Sequence, residues 1–159
     1  MSEKFSISPG GEKFPIPGPE EYKAEFERLQ KMVASEREKG REIVVVMGVG
    51  FVGAVMAAIV ADSVDKVTGQ PSKFVIGMQR PSVRSYWKIP LLNRGISPVK
   101  AEDPDVDPMI ARCVKEKKTL IATYTYDVLK LADVVVVDVQ CDYIKNELSN
   151  VRNGQTDMA

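Results

Sequence analysis

The sequence contains no histidine, and this absence excludes several kinds of site. A Ser-His-Asp triad, a Cys-His pair and any histidine-based metal site cannot be built within this chain. Only two cysteines are present, Cys113 and Cys141, which are too few for a four-cysteine zinc site or a dense disulfide framework. The sequence therefore predicts no metal site and no catalytic residue of its own.

Neither sign of charge is in excess. Lysine and arginine together number 22, as do aspartate and glutamate, so the formal net charge is zero. A balanced chain has no broad electrostatic attraction to nucleic acid or acidic lipid. The longest apolar stretch, residues 44–61, is interrupted by glycines, and no basic segment followed by an apolar run marks a secretory signal. We therefore expect no nucleic-acid partner, no membrane partner and a cytoplasmic location.

Two segments of different character precede the main apolar strands. Residues 1–18 contain three prolines and three glycines, a composition that resists regular structure and predicts an extended tail. Residues 19–40 predict an amphipathic helix, because Pro19 suits a first turn and Gly40 suits a helix end. Its apolar stripe is formed by Tyr22, Phe26, Leu29 and Val33. We expect this stripe to pack on the domain that follows. The alternative is contact with a partner subunit in a homo-oligomer.

Apolar strands and helices alternate over residues 41–145. Strands are predicted near residues 43–47, 73–78, 119–123 and 133–139. The apolar runs at the centres of the first and the last are continuous and β-branched, which is typical of a buried parallel sheet. Helices are predicted over residues 52–61, 109–117 and 126–131, and residues 83–93 are expected to be helical only until Pro90 interrupts them. The alternation predicts an α/β, three-layer αβα domain with a parallel sheet in strand order 3-2-1-4. After residue 141 we expect an amphipathic turn or helix, and residues 146–159 form a polar carboxyl-terminal tail.

A glycine-rich segment, Gly48-Val49-Gly50-Phe51-Val52-Gly53, directly follows the first of these strands and opens a helix. In the pattern G-x-G-x-x-G the first glycine allows a tight turn, the second lets the backbone approach a pyrophosphate, and the third lets the helix pack closely on the strand. The free amides of the first helical turn then favour a phosphate. The segment therefore predicts a dinucleotide site that includes Gly48, Gly50, Phe51, Val52 and Gly53. The alternative is a glycine-rich turn that binds nothing.

The end of the second strand bears on the choice of dinucleotide. An acidic residue is expected there, where it binds the ribose hydroxyls and repels a 2′-phosphate. This sequence has Gln79 instead, followed by Arg80, with Ser82 and Arg84 placed to help hold a phosphate. The exchange favours NADP. Alternatively, Gln79 binds the ribose of NAD and the arginines are ordinary surface residues. The cofactor predicted is therefore NAD or NADP.

Four segments at successive positions resemble the amino-terminal domain of the UDP-glucose/GDP-mannose (nucleotide-sugar) dehydrogenases. They read GVGFVG, VIGMQR, LNRGISPV and LIATYTYDVLKLADVVVVDV, and the resemblance covers about residues 42–145. The family patterns in the last two segments are matched by Leu92, Asn93, Gly95, Ser97, Pro98, Ala122, Thr123, Ala132, Asp133 and Val134. The resemblance implies a Rossmann-like NAD-binding domain of an oxidoreductase that converts the C6 alcohol of a nucleotide sugar to a carboxylate.

This sequence departs from the family at two places near the implied cofactor. The aspartate of the family's V-I-G-x-D is Gln79, and the family's segment after the fourth strand is replaced by one that begins Val139-Gln140-Cys141. The resemblance places these last three residues beside the cofactor. Cys141 has no histidine to activate it, so we do not expect it to act as a nucleophile.

The family's catalytic cysteine, which lies in a G-G-x-C setting, has no counterpart in this sequence. We therefore expect the chain to lack the catalytic domain, to bind a nucleotide sugar only together with the missing domains, and to be inactive as a dehydrogenase alone. Two alternatives remain open. One is a stand-alone, non-catalytic NAD(P)-binding or scaffolding module, and the other is a reductase of another Rossmann family that needs a second chain.

Overall fold

The computed structural model describes residues 4–138 and the backbone of two later strands. The strands are β1 (Phe5–Ile7), β2 (Lys13–Pro15), β3 (Glu42–Met47), β4 (Lys73–Met78), β5 (Leu120–Thr123), β6 (Val134–Val137), β7 (Asp142–Lys145) and β8 (Gly154–Asp157). The α-helices are α1 (Pro19–Glu38), α2 (Phe51–Asp62), α3 (Lys88–Asn93) and α4 (Val106–Lys115), and a 3-10 helix spans Tyr126–Leu131. Among the described residues, no helix has the length and apolar character needed to cross a membrane.

The central sheet consists of four parallel strands in the order β5-β4-β3-β6. Numbered along the chain within this sheet, the order is 3-2-1-4, as predicted. Helices α2, α3 and α4 cover one face of the sheet, while α1 and the 3-10 helix cover the other. Three layers with this strand order form a Rossmann-like fold, and the predicted fold class is confirmed.

Strand β3 lies at the centre of the domain because its residues are apolar on both sides. Ile43, Val45 and Val46 are fully buried, and their alternating side chains contribute to the two apolar cores that flank the sheet. Helix α2 approaches one face closely through small, fully buried residues, Ala54, Ala57, Ala58 and Ala61. The small residues on α2 thus bring the start of this helix close to the carboxyl ends of the strands.

Helix α1 agrees with the sequence-based expectation. It runs from Pro19 to Glu38, and Gly40 beyond its end has a φ of +77°, a conformation that glycine adopts readily. Leu29 and Val33 are buried in the same core as Ile43, so the apolar stripe packs on the domain. Formation of a homo-oligomer stays a prediction.

The amino-terminal segment differs from the expectation, which gave it no regular structure. Strands β1 and β2 pair antiparallel as a hairpin. The Ser6 hydroxyl donates to the Val83 carbonyl at 2.8 Å and accepts a bond from the backbone N–H of Trp87 at 3.1 Å. The prolines do not prevent this pairing, because a two-stranded hairpin has only edge positions, where a missing N–H is tolerated.

Two other local expectations are not met by the structure. Pro90 does not interrupt a helix but lies in the first turn of α3, where no intrahelical N–H bond is lost. Backbone strands β7 and β8 pair antiparallel where the sequence predicted a turn or helix and a polar tail.

Strand β6 is less buried than its run of four valines predicts. Val134, Val135 and Val137 are exposed by 41%, 45% and 62%, and only Val136 packs against the core. The reason is position, because β6 is at the edge of the four-stranded sheet. A continuous apolar run thus predicts the strand correctly but not how much of it is covered.

Candidate functional site

The glycine-rich turn connects the carboxyl end of β3 to the start of α2. Gly48 has a φ of +95°, which favours glycine, and its N–H donates to the Met78 carbonyl at 2.7 Å. A Cβ on Gly53 would lie 1.8 Å from the Gly48 carbonyl oxygen, so no side chain fits there. The fold itself therefore requires glycine at these two positions.

Gly50 is different, because nothing in the described part of the chain requires it to be a glycine. Its φ of −79° and ψ of −158° are extended backbone angles that other residues adopt, and a Cβ built there would meet no atom within 4 Å. The open space beside Gly50 is where a ligand could approach the backbone. This is the position at which the G-x-G-x-x-G pattern needs room for a pyrophosphate.

The amino end of α2 carries unsatisfied donors next to this space. The first backbone bond of the helix runs from the Ala54 N–H to the Gly50 carbonyl at 3.1 Å, so the N–H groups of Phe51, Val52 and Gly53 have no carbonyl partner within the helix. No side chain caps this end, and its first turn has no acidic residue. Phe51 and Val52 are exposed. The arrangement suits an anionic group, which the helix dipole also favours.

Gln79 adjoins the site, at the carboxyl end of β4. Its side-chain carbonyl accepts a hydrogen bond from the Val49 N–H at 3.1 Å, and its backbone N–H donates to the Thr123 carbonyl at 3.0 Å. The side chain thus ties the end of β4 to the glycine turn. Sequence reasoning located this residue at the site but missed its contact with the turn, for which the sequence gives no signal.

Arg80 and Arg84 follow on a short connection between β4 and α3, and both are exposed. Hydrogen bonds hold the backbone of this connection. The Ser85 hydroxyl donates to the Arg80 carbonyl at 2.9 Å, and the Trp87 indole N–H donates to the Arg84 carbonyl at 2.8 Å. The backbone at both arginines is therefore fixed while their guanidinium groups extend toward solvent.

Asp138 is a site residue for which the sequence left two roles open, a bond to a backbone amide and a bond to a ribose hydroxyl. It directly follows β6, and its N–H donates to the Met47 carbonyl at 2.8 Å. Its carboxylate oxygen Oδ2 would lie 2.8 Å from a Cβ on Gly53, so the carboxylate lies against the start of α2. The available signal was its position at the end of the strand that adjoins β3. The neighbouring predicted residues Val139, Gln140 and Cys141 lie outside the described residues.

Cys113 has no features of a reactive thiol. It is fully buried on α4, and its Sγ contacts the Ala58 carbonyl at 3.6 Å. Burial, with a contribution from the nearby Asp62 carboxylate, raises the pKa of the Cys113 thiol to about 11. Within the described residues, no cluster of acidic or sulfur-containing side chains could hold a metal ion.

This chain resembles part of a protein of known structure. The chain is similar to the crystal structure of NDP-N-acetyl-D-galactosaminuronic acid dehydrogenase from Methanosarcina mazei Go1, with 31% sequence identity and a TM-score of 0.57. The match covers 74% of this chain and 23% of that protein, so the chain spans less than a quarter of its length. No protein-family model and no curated protein sequence matches the chain. In fold and in sequence, this domain is thus similar to part of a nucleotide-sugar dehydrogenase.

Proposed function

We propose that this chain is the dinucleotide-binding part of a nucleotide-sugar dehydrogenase and that it binds NAD or NADP. The observation that carries the proposal is the open space at Gly50, beside the uncapped amino end of α2. The similarity to an NDP-sugar-acid dehydrogenase supports the same function. We also propose the cytoplasm as the location, where such dinucleotides are available.

The dinucleotide would lie across the carboxyl ends of β3 and β6. Its pyrophosphate would accept hydrogen bonds from the free N–H groups of Phe51, Val52 and Gly53, close to the backbone of Gly50. When bound, the nicotinamide supplies hydride acceptance. The chain's own residues bind and orient the dinucleotide, and Gln79 keeps the turn in place through its bond to the Val49 N–H.

A nucleotide sugar is proposed as the substrate of a protein that combines this domain with others. The chain spans 23% of the similar dehydrogenase, and none of its described side chains resembles a catalytic thiolate. We therefore expect the 159-residue chain to bind the cofactor without oxidising a sugar. Formation of NADH or NADPH from UDP-glucose by this chain would contradict that expectation.

Thermal unfolding of the chain with NAD, NADH, NADP and NADPH tests the proposal. A ligand at one hundred times its dissociation constant stabilises a protein by about 2.7 kcal/mol, which raises the midpoint by several degrees. The matched variant is Gly50→Ala. It should fold, with a cost below about 1 kcal/mol for alanine at a helix N-cap, but should lose the stabilisation because the methyl group occupies the open space.

Two results would overturn the proposal. One is that none of the four dinucleotides at millimolar concentration raises the midpoint of the wild-type chain. The other is that Gly50→Ala is stabilised as much as the wild type, because the ligand would then bind somewhere other than at the glycine turn. Gly10→Ala provides a control, since this glycine lies in the hairpin loop, far from the turn in sequence, its φ is not positive, and a Cβ there would meet only the Ser8 hydroxyl at 3.8 Å.

A further inference from the structure

We infer that the site prefers a dinucleotide with a phosphate on the 2′-position of the adenosine ribose, and that Arg80 and Arg84 bind this phosphate. The inference rests on the proposed function, because the arginines can select between dinucleotides only if one binds at the glycine turn. The chemical class is therefore NADP(H) rather than NAD(H).

Gln79 is already engaged within the protein. In dinucleotide-binding domains of this fold, the residue at the end of the second strand of the sheet receives the hydrogen bonds of the ribose hydroxyls. Here the side-chain carbonyl of Gln79 already accepts a bond from the Val49 N–H at 3.1 Å. Residues 79–85 also contain no aspartate or glutamate. The main attraction for a free ribose diol is thus reduced, and a 2′-phosphate meets no carboxylate on this segment.

Arg80 and Arg84 differ from the other arginines of residues 4–138 in having no carboxylate partner among the described residues. Residues 4–138 contain seven arginines. Five of them form ion pairs with carboxylates: Arg28, Arg37, Arg41, Arg94 and Arg112. Among the ion pairs of the described residues, none involves Arg80 or Arg84, and both side chains are exposed. Two guanidinium groups that no described carboxylate neutralises thus lie four residues apart, on one short connection beside the site.

Two serines on this connection, Ser82 and Ser85, bond within it rather than outward. The Ser85 hydroxyl uses its hydrogen to donate to the Arg80 carbonyl. The Ser82 and Ser85 oxygens are 2.7 Å apart, so Ser82 must be the donor in that bond. Both hydroxyl hydrogens are therefore used inside the connection. The serines fix the backbone of Arg80, and the side-chain donors that remain for a phosphate on residues 79–85 are the two guanidinium groups and the Gln79 amide. The expected contribution of Ser82 to phosphate binding is thus replaced by a structural one.

The size of the expected effect follows from the chemistry of the guanidinium group. Its planar set of N–H donors matches the oxygens of a phosphate, and charge-assisted bonds of this kind are stronger than neutral ones. Loss of one such contact changes an affinity by roughly tenfold or more. We expect NADP to bind at least about tenfold more tightly than NAD. The substitution Arg80→Ala should remove most of that difference.

Calorimetric titration of NADP and NAD tests the inference, with adenosine 2′,5′-bisphosphate and 5′-AMP as smaller probes. The variants are Arg80→Ala, Arg84→Ala and Arg80→Lys. We expect Arg80→Ala to weaken NADP and the bisphosphate roughly tenfold while NAD and 5′-AMP change less than about twofold. Arg80→Lys should be intermediate, because the charge remains and the planar fork is lost. The matched control is Lys66→Ala, which removes an exposed charge from the connection between α2 and β4, at the amino ends of the strands and thus at the opposite end from the site.

The outcomes separate this inference from the function on which it rests. If NAD binds as tightly as NADP, or if Arg80→Ala weakens both dinucleotides equally, the phosphate preference is refuted while dinucleotide binding stands. If neither dinucleotide binds the wild-type chain, the proposed function fails and the inference fails with it. If Lys66→Ala reproduces the effect of Arg80→Ala, the preference reflects overall charge rather than these two arginines, and the inference is likewise refuted.

Discussion

Replacing Gly53 by alanine should damage the turn that joins β3 to α2. The added methyl group would lie 1.8 Å from the Gly48 carbonyl oxygen and 2.8 Å from Asp138 Oδ2. A Cβ atom essentially never lies closer than 3.0 Å to a heavy atom outside its own residue and chain neighbours. The Gly48 carbonyl oxygen and the start of α2 must therefore separate by at least 1.2 Å. The obstructing atom is backbone rather than the end of a flexible side chain, which makes this movement costly.

The size of the effect follows from two opposing contributions. Inserting a methyl group into a packed region costs about 1–3 kcal/mol, and the neighbouring Ala54 and Ala57 are fully buried, so α2 cannot shift without disturbing the core. Alanine is intrinsically better than glycine within a helix by about 0.5–1 kcal/mol, which offsets part of that cost. Taking the upper end of the packing cost, we expect Gly53→Ala to lower the free energy of unfolding by about 2 kcal/mol.

Urea denaturation at pH 7, followed by circular dichroism, measures this change. Gly50→Ala serves as the matched control, because a Cβ there meets no atom within 4 Å and should cost less than about 1 kcal/mol. Equal stability of Gly53→Ala and the wild type would refute the account of helix–strand packing at the turn.

Two further predictions concern stability away from the site. Asn93→Ala should lower the free energy of unfolding by about 1–3 kcal/mol. The reason is that the Asn93 side chain accepts a hydrogen bond from the Ala122 N–H at 2.7 Å and donates one to the Ala122 carbonyl at 3.0 Å. Similar urea midpoints for the variant and the wild type would contradict this expectation. Asp62→Asn should cost about 1–2 kcal/mol at pH 7, since hydrogen bonds from Arg112 and Lys117 hold the pKa of the Asp62 carboxyl well below its usual range. A carboxylate with a lowered pKa stabilises the fold above about pH 4 and loses this effect as the pH falls. The difference in unfolding free energy between Asp62→Asn and the wild type should therefore shrink on acidification. A difference that grows in acid would contradict the expected direction of the pH dependence.

The central sheet could be predicted because its signals are local. The β-branched run at Ile43–Val46 and the glycines that follow it specify a buried strand, a tight turn and a helix within a single segment. The bond between Gln79 and Val49 was not predictable, because it joins residues 30 positions apart and depends on how two strand ends meet. The position of Gln79 was therefore correct, whereas its inward contact came only from the structure.

The amino-terminal hairpin shows a second limit of sequence reasoning. Its strands have three residues each, and prolines and glycines surround them, so the local composition favours a loop. The residues that support the hairpin are distant in the sequence. The Ser6 hydroxyl forms hydrogen bonds with residues that are 77 and 81 positions away along the chain. Interactions over such separations leave no pattern in a single sequence. The exposure of β6 has the same origin, since the position of a strand within a sheet is a property of the whole fold.

The most direct test of dinucleotide binding is a two-dimensional amide NMR titration of the 159-residue chain with NADP and with NAD. The account predicts that the largest chemical-shift changes occur at the amides of residues 48–53, where the helix start and the glycine turn would meet the pyrophosphate. Changes at residues 80 and 84 should be larger with NADP than with NAD. A spectrum in which the amides of residues 48–53 do not shift with either dinucleotide, at millimolar concentration, would contradict the central claim.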